Sequence, residues 1–328
     1  MQLIMITPAQ PGSRAGNRAT AERWKALLEN AGHAVEVVTQ YHGEACDALI
    51  ALHAWRSVDA IRRFRETWPE KPLIVALTGT DIYHHQHEYP EDTLYSMDVA
   101  DTLIGLHDLV AEDIPADLAD KLVTLYQSAE GPESFPAPRA EGNSGTFGAC
   151  VIGHLRDEKD SLRAAYAARL LPADSQIGIF CAGKAHSEEW QHKAEAEMAE
   201  NPRFHWLGEL DKANTRQLMA NSQVMVISSV MEGGANVVSE ACRVGLPILA
   251  SDIPGNVGLL GRDYAGYFPV GDEQDLANLL HRAETDPVFL DILKKQVGKL
   301  AGRFLPEKEQ ASLEQALQLA MQRCSKRH

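Results

Sequence analysis

Glu232 and Glu240 stand with seven residues between them around the pair Gly233-Gly234, in the stretch VMVISSVMEGGANVVSEA. Residues 224–227 form a short apolar run rich in β-branched side chains, as a buried strand would. The glycine pair breaks that strand, and a helical pattern begins at Asn236. A helix N-terminus after a glycine turn offers unpaired backbone N–H groups to an anion. Carboxylates beside such a nest are better used on hydroxyls than on a phosphate. The ligand implied is part anion and part polyol, such as a nucleotide sugar. The same junction also arises for packing alone, so the rest of the chain has to supply the ligand's other contacts.

Four further stretches place polar residues just after apolar runs. GHLRDEK, residues 153–159, carries His154, Arg156 and Lys159. PGSRAGNRAT, residues 11–20, carries Gly12, Gly16, Ser13, Arg14, Asn17 and Arg18 between a strand and a helix. Its spacing fits neither a P-loop nor a dinucleotide fingerprint, yet its glycines permit close approach and its arginines add charge. LTGTD, residues 77–81, ends in Thr80 and Asp81, and LHAWRS, residues 52–57, contains His53, Arg56 and Ser57. Each alone is more ordinarily structural; together they are harder to dismiss. HHQHE, residues 84–88, lacks zinc-ligand spacing and reads as a solvated loop. With no Asp-x-Asp pair for a divalent ion, neither a metal nor a cofactor is expected. A departing diphosphate would lean on Lys159, its basic neighbours and the helix start at Asn236. No GxSxG occurs and no cysteine sits near a base, which leaves acyl transfer unsupported.

The elements that position these residues follow a strand-then-helix rhythm. Strands are expected at residues 3–7, 35–38, 48–52, 73–77, 102–106 and 122–126, with a helix after the first loop running to about Asn30. Residues 131–145 contain three prolines and three glycines with little to bury, and read as a linker. The rhythm restarts with strands at 147–152, 176–182, 204–207, 224–227, 247–250 and 267–269 and helices at 161–171, 187–201 and 212–221; the tail, 275–323, is helical with breaks near Pro287 and Pro306. Short apolar strands alternating with helices mean parallel sheets covered on both faces. The fold class is α/β, two doubly wound halves in tandem, with ligands at the carboxyl ends of the strands. The basic residues of the first helix, Arg18, Arg23 and Lys25, are adequately explained as a solvated face.

Composition sets outer limits. A chain of 328 residues exceeds one ordinary hydrophobic core. The formal charge of −15 argues against nonspecific nucleic-acid or acidic-membrane binding. No apolar run approaches a membrane span, the N-terminus reads as a first strand, and the five scattered cysteines fit buried thiols, so a cytoplasmic protein without a firm membrane signal is expected.

The tandem halves, the glycine loop after the first strand, Gly153 and Lys159 opening the second half, and the Glu-x7-Glu of EGGANVVSE together resemble glycosyltransferase family 4 of the GT-B fold, over nearly the whole chain. The resemblance implies two Rossmann-like domains facing a cleft, an acceptor domain over residues 1–140, a donor domain over 141–305, and a C-terminal helix, 306–328, crossing back to the first. It also implies that Glu240 holds the nucleotide ribose, Glu232 contacts the transferred sugar and Lys159 binds the diphosphate. Two positions depart from the family pattern: His154 stands where an arginine is usual, and Ala235 where a glycine is usual. Arg156 and His154 are the two candidates for the place of the missing guanidinium.

Blocks such as ITPAQPGSRAGNRATAERW, ALHAWRS, ALTGTDIY, VIGHLRDEKD and EGGANVVSEA are similar to the selenosugar synthases (SenB type) of selenoneine biosynthesis. That similarity implies a UDP-sugar donor, typically UDP-N-acetylglucosamine, and selenophosphate as acceptor. An acceptor that arrives as an anion needs cations more than a base. The expected division of labour follows. Glu232, Arg14 and His154 form the catalytic set; Lys159, Arg156, Gly233, Gly234, Ala235, Asn236, Glu240, Gly12 and Gly16 bind the donor; Ser13, Arg14, Asn17, Arg18, His53, Arg56, Thr80 and Asp81 bind the acceptor. The rivals are an ordinary family 4 enzyme using a hydroxyl acceptor, a UDP-sugar epimerase or hydrolase, and a protein that binds a nucleotide sugar without turnover.

Overall fold

Side chains alternate along a strand, and the inner strands Ala48–Leu52, Leu73–Ala76, Thr102–Gly105 and Val224–Ile227 are buried on both faces, which is why they read as continuous apolar runs. The computed structural model describes residues 1–12, 16–137 and 145–326. The chain divides into two units, Met1–Ser128 with Leu305–His328, and Ala129–Phe304.

In the first unit, β1 (Gln2–Ile6), β2 (Ala34–Val38), β3 (Ala48–Leu52), β4 (Leu73–Ala76), β5 (Thr102–Gly105) and β6 (Leu122–Thr124) form a parallel sheet in the order β2-β1-β3-β4-β5-β6. Leu3 and Met5 of β1 pack with Trp24 and Leu28 of the helix Gly16–Asn30 and with Leu313 and Leu317 of the C-terminal helix Pro306–Lys326. Ile4 and Ile6 belong to the opposite layer, with Phe64 of the helix Val58–Thr67 and Met97 of the helix Pro90–Val99. The C-terminal helix therefore belongs to the first unit and lies against the helix Gly16–Asn30.

Two expectations are corrected here. Residues 84–88 are helical rather than a loop, and they are solvated only at His84, His87 and Glu88. A π-helical turn, Asp81–His85, runs into the short helix Gln86–Glu88, and His85 and Gln86 are buried. The cause is tertiary: Gln86 Nε2 donates to the Asp113 carbonyl at 2.7 Å, and the His85 ring centroid lies 4.4 Å from that of Trp55. Nor is the basic side of the first helix simply solvated. Arg23 donates through Nε to both oxygens of the buried Glu309, and only 12% of the Arg18 side chain is exposed. Lys25, 37% exposed beside Glu29, is the one of the three that fits the expectation.

In the second unit, β7 (Phe147–Ile152), β8 (Ile177–Ala182), β9 (Phe204–Trp206), β10 (Val224–Ile227), β11 (Ile248–Ser251) and β12 (Tyr267–Phe268) lie parallel in the order β12-β11-β10-β7-β8-β9. That is the dinucleotide-fold order, with its topological switch point between β7 and β10. The helix expected at 161–171 is confined to Arg163–Ala168, because Asp160 takes a left-handed conformation ahead of it. The segment expected as a linker is anchored from 131 to 137: Arg216 Nη1 donates to Ser134 O at 3.2 Å and Gln217 Nε2 to Ala137 O at 3.2 Å. Among the described residues, no helix is long and apolar enough to cross a membrane. The five cysteines are buried and free of disulfides, and burial pushes the Cys46 thiol up to about 11 and the Cys150, Cys181 and Cys242 thiols up to about 12, so none of these four is a ready nucleophile.

Candidate functional site

Where neighbouring strands of an α/β sheet connect in opposite directions, their following loops part and leave a crevice for a ligand. In the second unit those loops are 153–160 after β7 and 228–235 after β10. They are stitched together by backbone and hydroxyl bonds. Val230 N donates to Glu158 O at 2.9 Å, and Ser228 Oγ donates to the carbonyls of Lys159 at 3.2 Å and Asp160 at 2.9 Å. Two glycines permit the close approaches that hold this geometry. A Cβ on Gly183 would fall 1.9 Å from Gly153 O, and one on Gly255 would fall 2.2 Å from Glu232 O. No side chain fits at either point.

The stitching brings Lys159 and Glu232 together. Lys159 Nζ bonds Glu232 Oε1, and Ser229 Oγ donates to the same oxygen at 2.5 Å. The lysine side chain is 20% exposed and the glutamate 10%, so the pair is largely desolvated, and a ligand that separates the two has to replace their contacts. His154 Nδ1 accepts from Lys184 N at 3.2 Å, which places its proton on Nε2. Burial and the His186, Arg156 and Lys159 charges push its pKa down against the opposing pull of Glu209, which favours the neutral imidazole as a hydrogen-bond donor. Arg156, 40% exposed, has Nε 3.6 Å from Glu158 Oε2.

Next comes the helix Asn236–Val244. Its N-cap is Ala235, which supplies no side-chain bond, where serine, threonine, aspartate or asparagine would ordinarily satisfy the first N–H groups. No acidic residue occupies the first turn, and Asn236 Oδ1 is buried with no hydrogen-bond partner among the described residues. Gly233, Gly234 and Glu240 are half-buried around it. The positive helix end and the Lys159–Glu232 pair thus lie at one switch point, with Glu240 in the second turn of the same helix. That arrangement suits a phosphate carrying hydroxylated groups.

The first unit has its own switch point, between β1 and β3. Ser13 and Arg14 lie outside the described residues. Gly12 and Gly16 are exposed, Asn17 and Arg18 half-buried. Arg18 bonds Glu22 through Nη2, while its Nε and Nη1 are buried with no partner among the described residues. After β3, Arg56 is exposed and His53 is 2% exposed with a φ of +84°, a strained value for a non-glycine residue. Asp81 is fully enclosed, which distinguishes it from a residue open to an acceptor. Its carboxylate receives Ala54 N at 3.0 Å, Trp55 N at 3.0 Å, Thr78 N and Thr78 Oγ1 at 2.9 Å, and His53 Nδ1 at 2.6 Å. Burial alone would raise the Asp81 pKa; the bonds from His53 and the Thr78 amide outweigh it and hold the carboxyl well below its usual range. His53, Asp81 and His85 have ligand-type atoms within 4.8 Å of one another, as a metal site would. A carboxylate with about four lone-pair sites already taken by these donors has none left for an ion. The group is a hydrogen-bond hub that ties the β3 and β4 loops.

Sequence reasoning missed three parts of this arrangement. Ser229 carried no motif, and its role is visible only from its bond to Glu232. His85 was taken with the solvated loop. Trp55 packs against His85 at 4.4 Å and stacks on Tyr89 at 4.7 Å, and its place in LHAWRS was the only available signal.

Comparison with known proteins agrees with this geometry. The chain superposes on crystal structures of Anabaena Alr3699/HepE in complex with UDP and glucose (TM-score 0.79, 16% identity, covering 97% of this chain and 99% of that one) and on sucrose-phosphate synthase from Thermosynechococcus elongatus (TM-score 0.79, 15% identity, 97% and 98%). A glycosyltransferase from Rickettsia africae gives a TM-score of 0.73 at 12% identity, covering 97% and 98%. The fold is GT-B. The description "Glycosyl transferases group 1" matches residues 138–304, a stretch containing both loops of the second unit's switch point, and the chain belongs to that family of glycosyltransferases.

Proposed function

We propose that the protein transfers a sugar from a UDP-sugar, with UDP-N-acetylglucosamine as the first donor to test, to selenophosphate, forming the C–Se bond of a selenosugar for selenoneine biosynthesis. The observation that carries the donor half is the uncapped helix start at Asn236 beside the Lys159–Glu232 pair. The UDP and UDP-glucose complexes of Alr3699/HepE support the nucleotide. In this reading Glu240 accepts from the ribose hydroxyls, and Lys159 with Arg156 or His154 takes the diphosphate. The N–H groups of Gly233 to Asn236 face the distal phosphate, and Glu232, released from Lys159, orients the sugar. Charge on the leaving UDP is met by lysine and helix dipole without a metal.

The acceptor half rests on sequence blocks and on charge. Arg18, whose Nε and Nη1 have no partner among the described residues, and the exposed Arg56 favour an anion; Arg14 and Ser13 complete the expected set. A polarizable selenium nucleophile on such an anion attacks the anomeric carbon as the C–O bond to UDP breaks. Release of UDP from a panel of UDP-sugars, with and without selenophosphate and with mass spectrometry of the product, tests the proposal. Selenophosphate-dependent UDP release and a selenium-containing sugar are expected. Turnover with hydroxyl acceptors alone would return the protein to ordinary glycosyl transfer, and UDP release unaffected by any acceptor would mark a hydrolase.

A further inference from the structure

The junction after β11 has no part in the roles above, yet it carries buried polar side chains that a packing layer does not need. Ser251 and Asn256 are fully buried, and Ser229 is 1% exposed. Asn256 lies in the helix Pro254–Leu260, whose Gly255, Gly258, Leu259 and Leu260 are buried as well, so it is set in the core. Its Nδ2 donates to Ser251 O at 2.9 Å and to Ser251 Oγ at 3.1 Å. Ser251 Oγ donates in turn to Ser229 O at 2.6 Å, and Ser229 Oγ donates to Glu232 Oε1 at 2.5 Å. The direction of each bond is fixed. Ser251 has one hydroxyl proton, spent on the Ser229 carbonyl, so its oxygen accepts from the amide. Turning the Asn256 amide over would set its oxygen against the Ser251 carbonyl. Asn256 Oδ1 is left buried with no partner among the described residues, a cost that an aliphatic side chain in the same place would avoid.

The same junction sets the Glu232 backbone. A Cβ on Gly255 would fall 2.2 Å from Glu232 O and 2.9 Å from Glu232 Cβ. Glu232 is thus located twice, at its main chain by the start of the helix Pro254–Leu260 and at its carboxylate by Ser229, whose own carbonyl Ser251 holds. Lys159 bonds the same carboxylate oxygen, but an arriving diphosphate competes for the lysine and not for the serine. We infer that Ser251, Gly255 and Asn256 are positioning residues that keep the Glu232 carboxylate aimed at the donor sugar after the diphosphate has drawn Lys159 away. The inference rests on the glycosyl-transfer reading, in which Glu232 orients the sugar, and adds the part of the fold that fixes it there. A carboxylate tethered only to Lys159 would follow the lysine toward the phosphate, where two anions would meet. Bonded to a serine that the core holds in place, it stays on the sugar's side. The chain from Asn256 to Glu232 makes no hydrogen bond to the 153–160 loop or to the helix Asn236–Val244, so it acts on transfer and not on nucleotide affinity.

Ser251→Ala removes one hydroxyl, and Asn256→Leu removes both amide bonds at nearly constant volume. Each is assayed by UDP release from UDP-N-acetylglucosamine with whichever acceptor wild type uses, selenophosphate, an alcohol or water. Each is expected to lower kcat about tenfold, the usual scale for a misplaced orienting group, while UDP affinity by calorimetry stays within about twofold of wild type. In a Glu232→Ala background the further loss from Ser251→Ala should be under about twofold, because the hydroxyl then has no carboxylate to position. A loss that persists undiminished in that background, or UDP affinity that falls in step with kcat, would make these residues general supports of the fold and overturn the inference. Wild-type kcat in both single variants would overturn it as well, with the transferase reading left standing. A wild type that releases no UDP with any acceptor would instead remove the transfer reading. Amide hydrogen exchange of residues 229–234 in the presence of UDP then decides the inference: exchange about tenfold faster in Ser251→Ala is expected, and unchanged exchange overturns it.

Discussion

Glu309→Ala lowers the stability of the first unit by about 4 kcal/mol, out of the roughly 5–15 kcal/mol typical of a folded domain. Glu309 sits 1% exposed on the helix Pro306–Lys326 and receives more bonds than any ordinary surface acid. Arg23 Nε donates at 2.9 and 3.1 Å, Trp24 Nε1 at 2.7 Å, and Ser128 through N at 2.8 Å and Oγ at 2.5 Å. Removing the carboxylate leaves a partly buried guanidinium, a buried indole N–H and a backbone amide without it. Each lost acceptor costs about 1–3 kcal/mol where water cannot enter. Glu309→Gln keeps an acceptor oxygen and loses the charge, so it should fall between wild type and alanine. Urea unfolding of the full chain, followed by tryptophan fluorescence, measures it. A loss under about 1 kcal/mol for Glu309→Ala would place this network among exposed ion pairs.

Lys159→Met should lower kcat/KM for the UDP-sugar by about two to three orders of magnitude, the usual loss when one preorganised charge partner of a leaving group is removed. Glu232 carries a separate and opposite signature. In the free protein it occupies Lys159 and Ser229, so Glu232→Gln leaves the lysine less tightly held and ready for phosphate. The expected result is UDP bound more tightly by about threefold to tenfold while sugar transfer slows, because the group that orients the sugar has lost its charge. Steady-state kinetics read the first effect and calorimetry with UDP the second. If Glu232→Gln weakened UDP binding and transfer in parallel, the pair would be part of the nucleotide's own contacts.

How much of this was legible in the sequence depends on the range of the interaction. Residues 48–52, 147–152 and 224–227 are strands as expected, because short apolar runs between glycines, prolines and polar loops leave little alternative. The start of the helix at Asn236 followed from Gly233-Gly234 for the same reason. Long-range pairings were not legible. Arg23 looked like a solvated helix residue, and nothing local shows that its partner lies at position 309. Asp81 read as a residue open to ligand because TGTD is polar, yet burial depends on the β3 loop folding over it. HHQHE reads as a solvated loop because it lacks zinc-ligand spacing; His84, His87 and Glu88 are indeed exposed, while the aromatic faces of Trp55 and Tyr89 pack on His85 and bury it.

The central claim is that the switch point between β7 and β10 binds the nucleotide of the donor. Titration of UDP into wild type, Glu240→Ala and Arg56→Ala by calorimetry tests it most directly. Glu240→Ala should weaken binding by at least about tenfold, the loss of about 1.4 kcal/mol expected for hydrogen bonds from ribose hydroxyls to a charged group. Arg56→Ala, an exposed change in the first unit, should leave UDP affinity as it is. Equal effects of the two substitutions, or no UDP binding by wild type, would contradict the account.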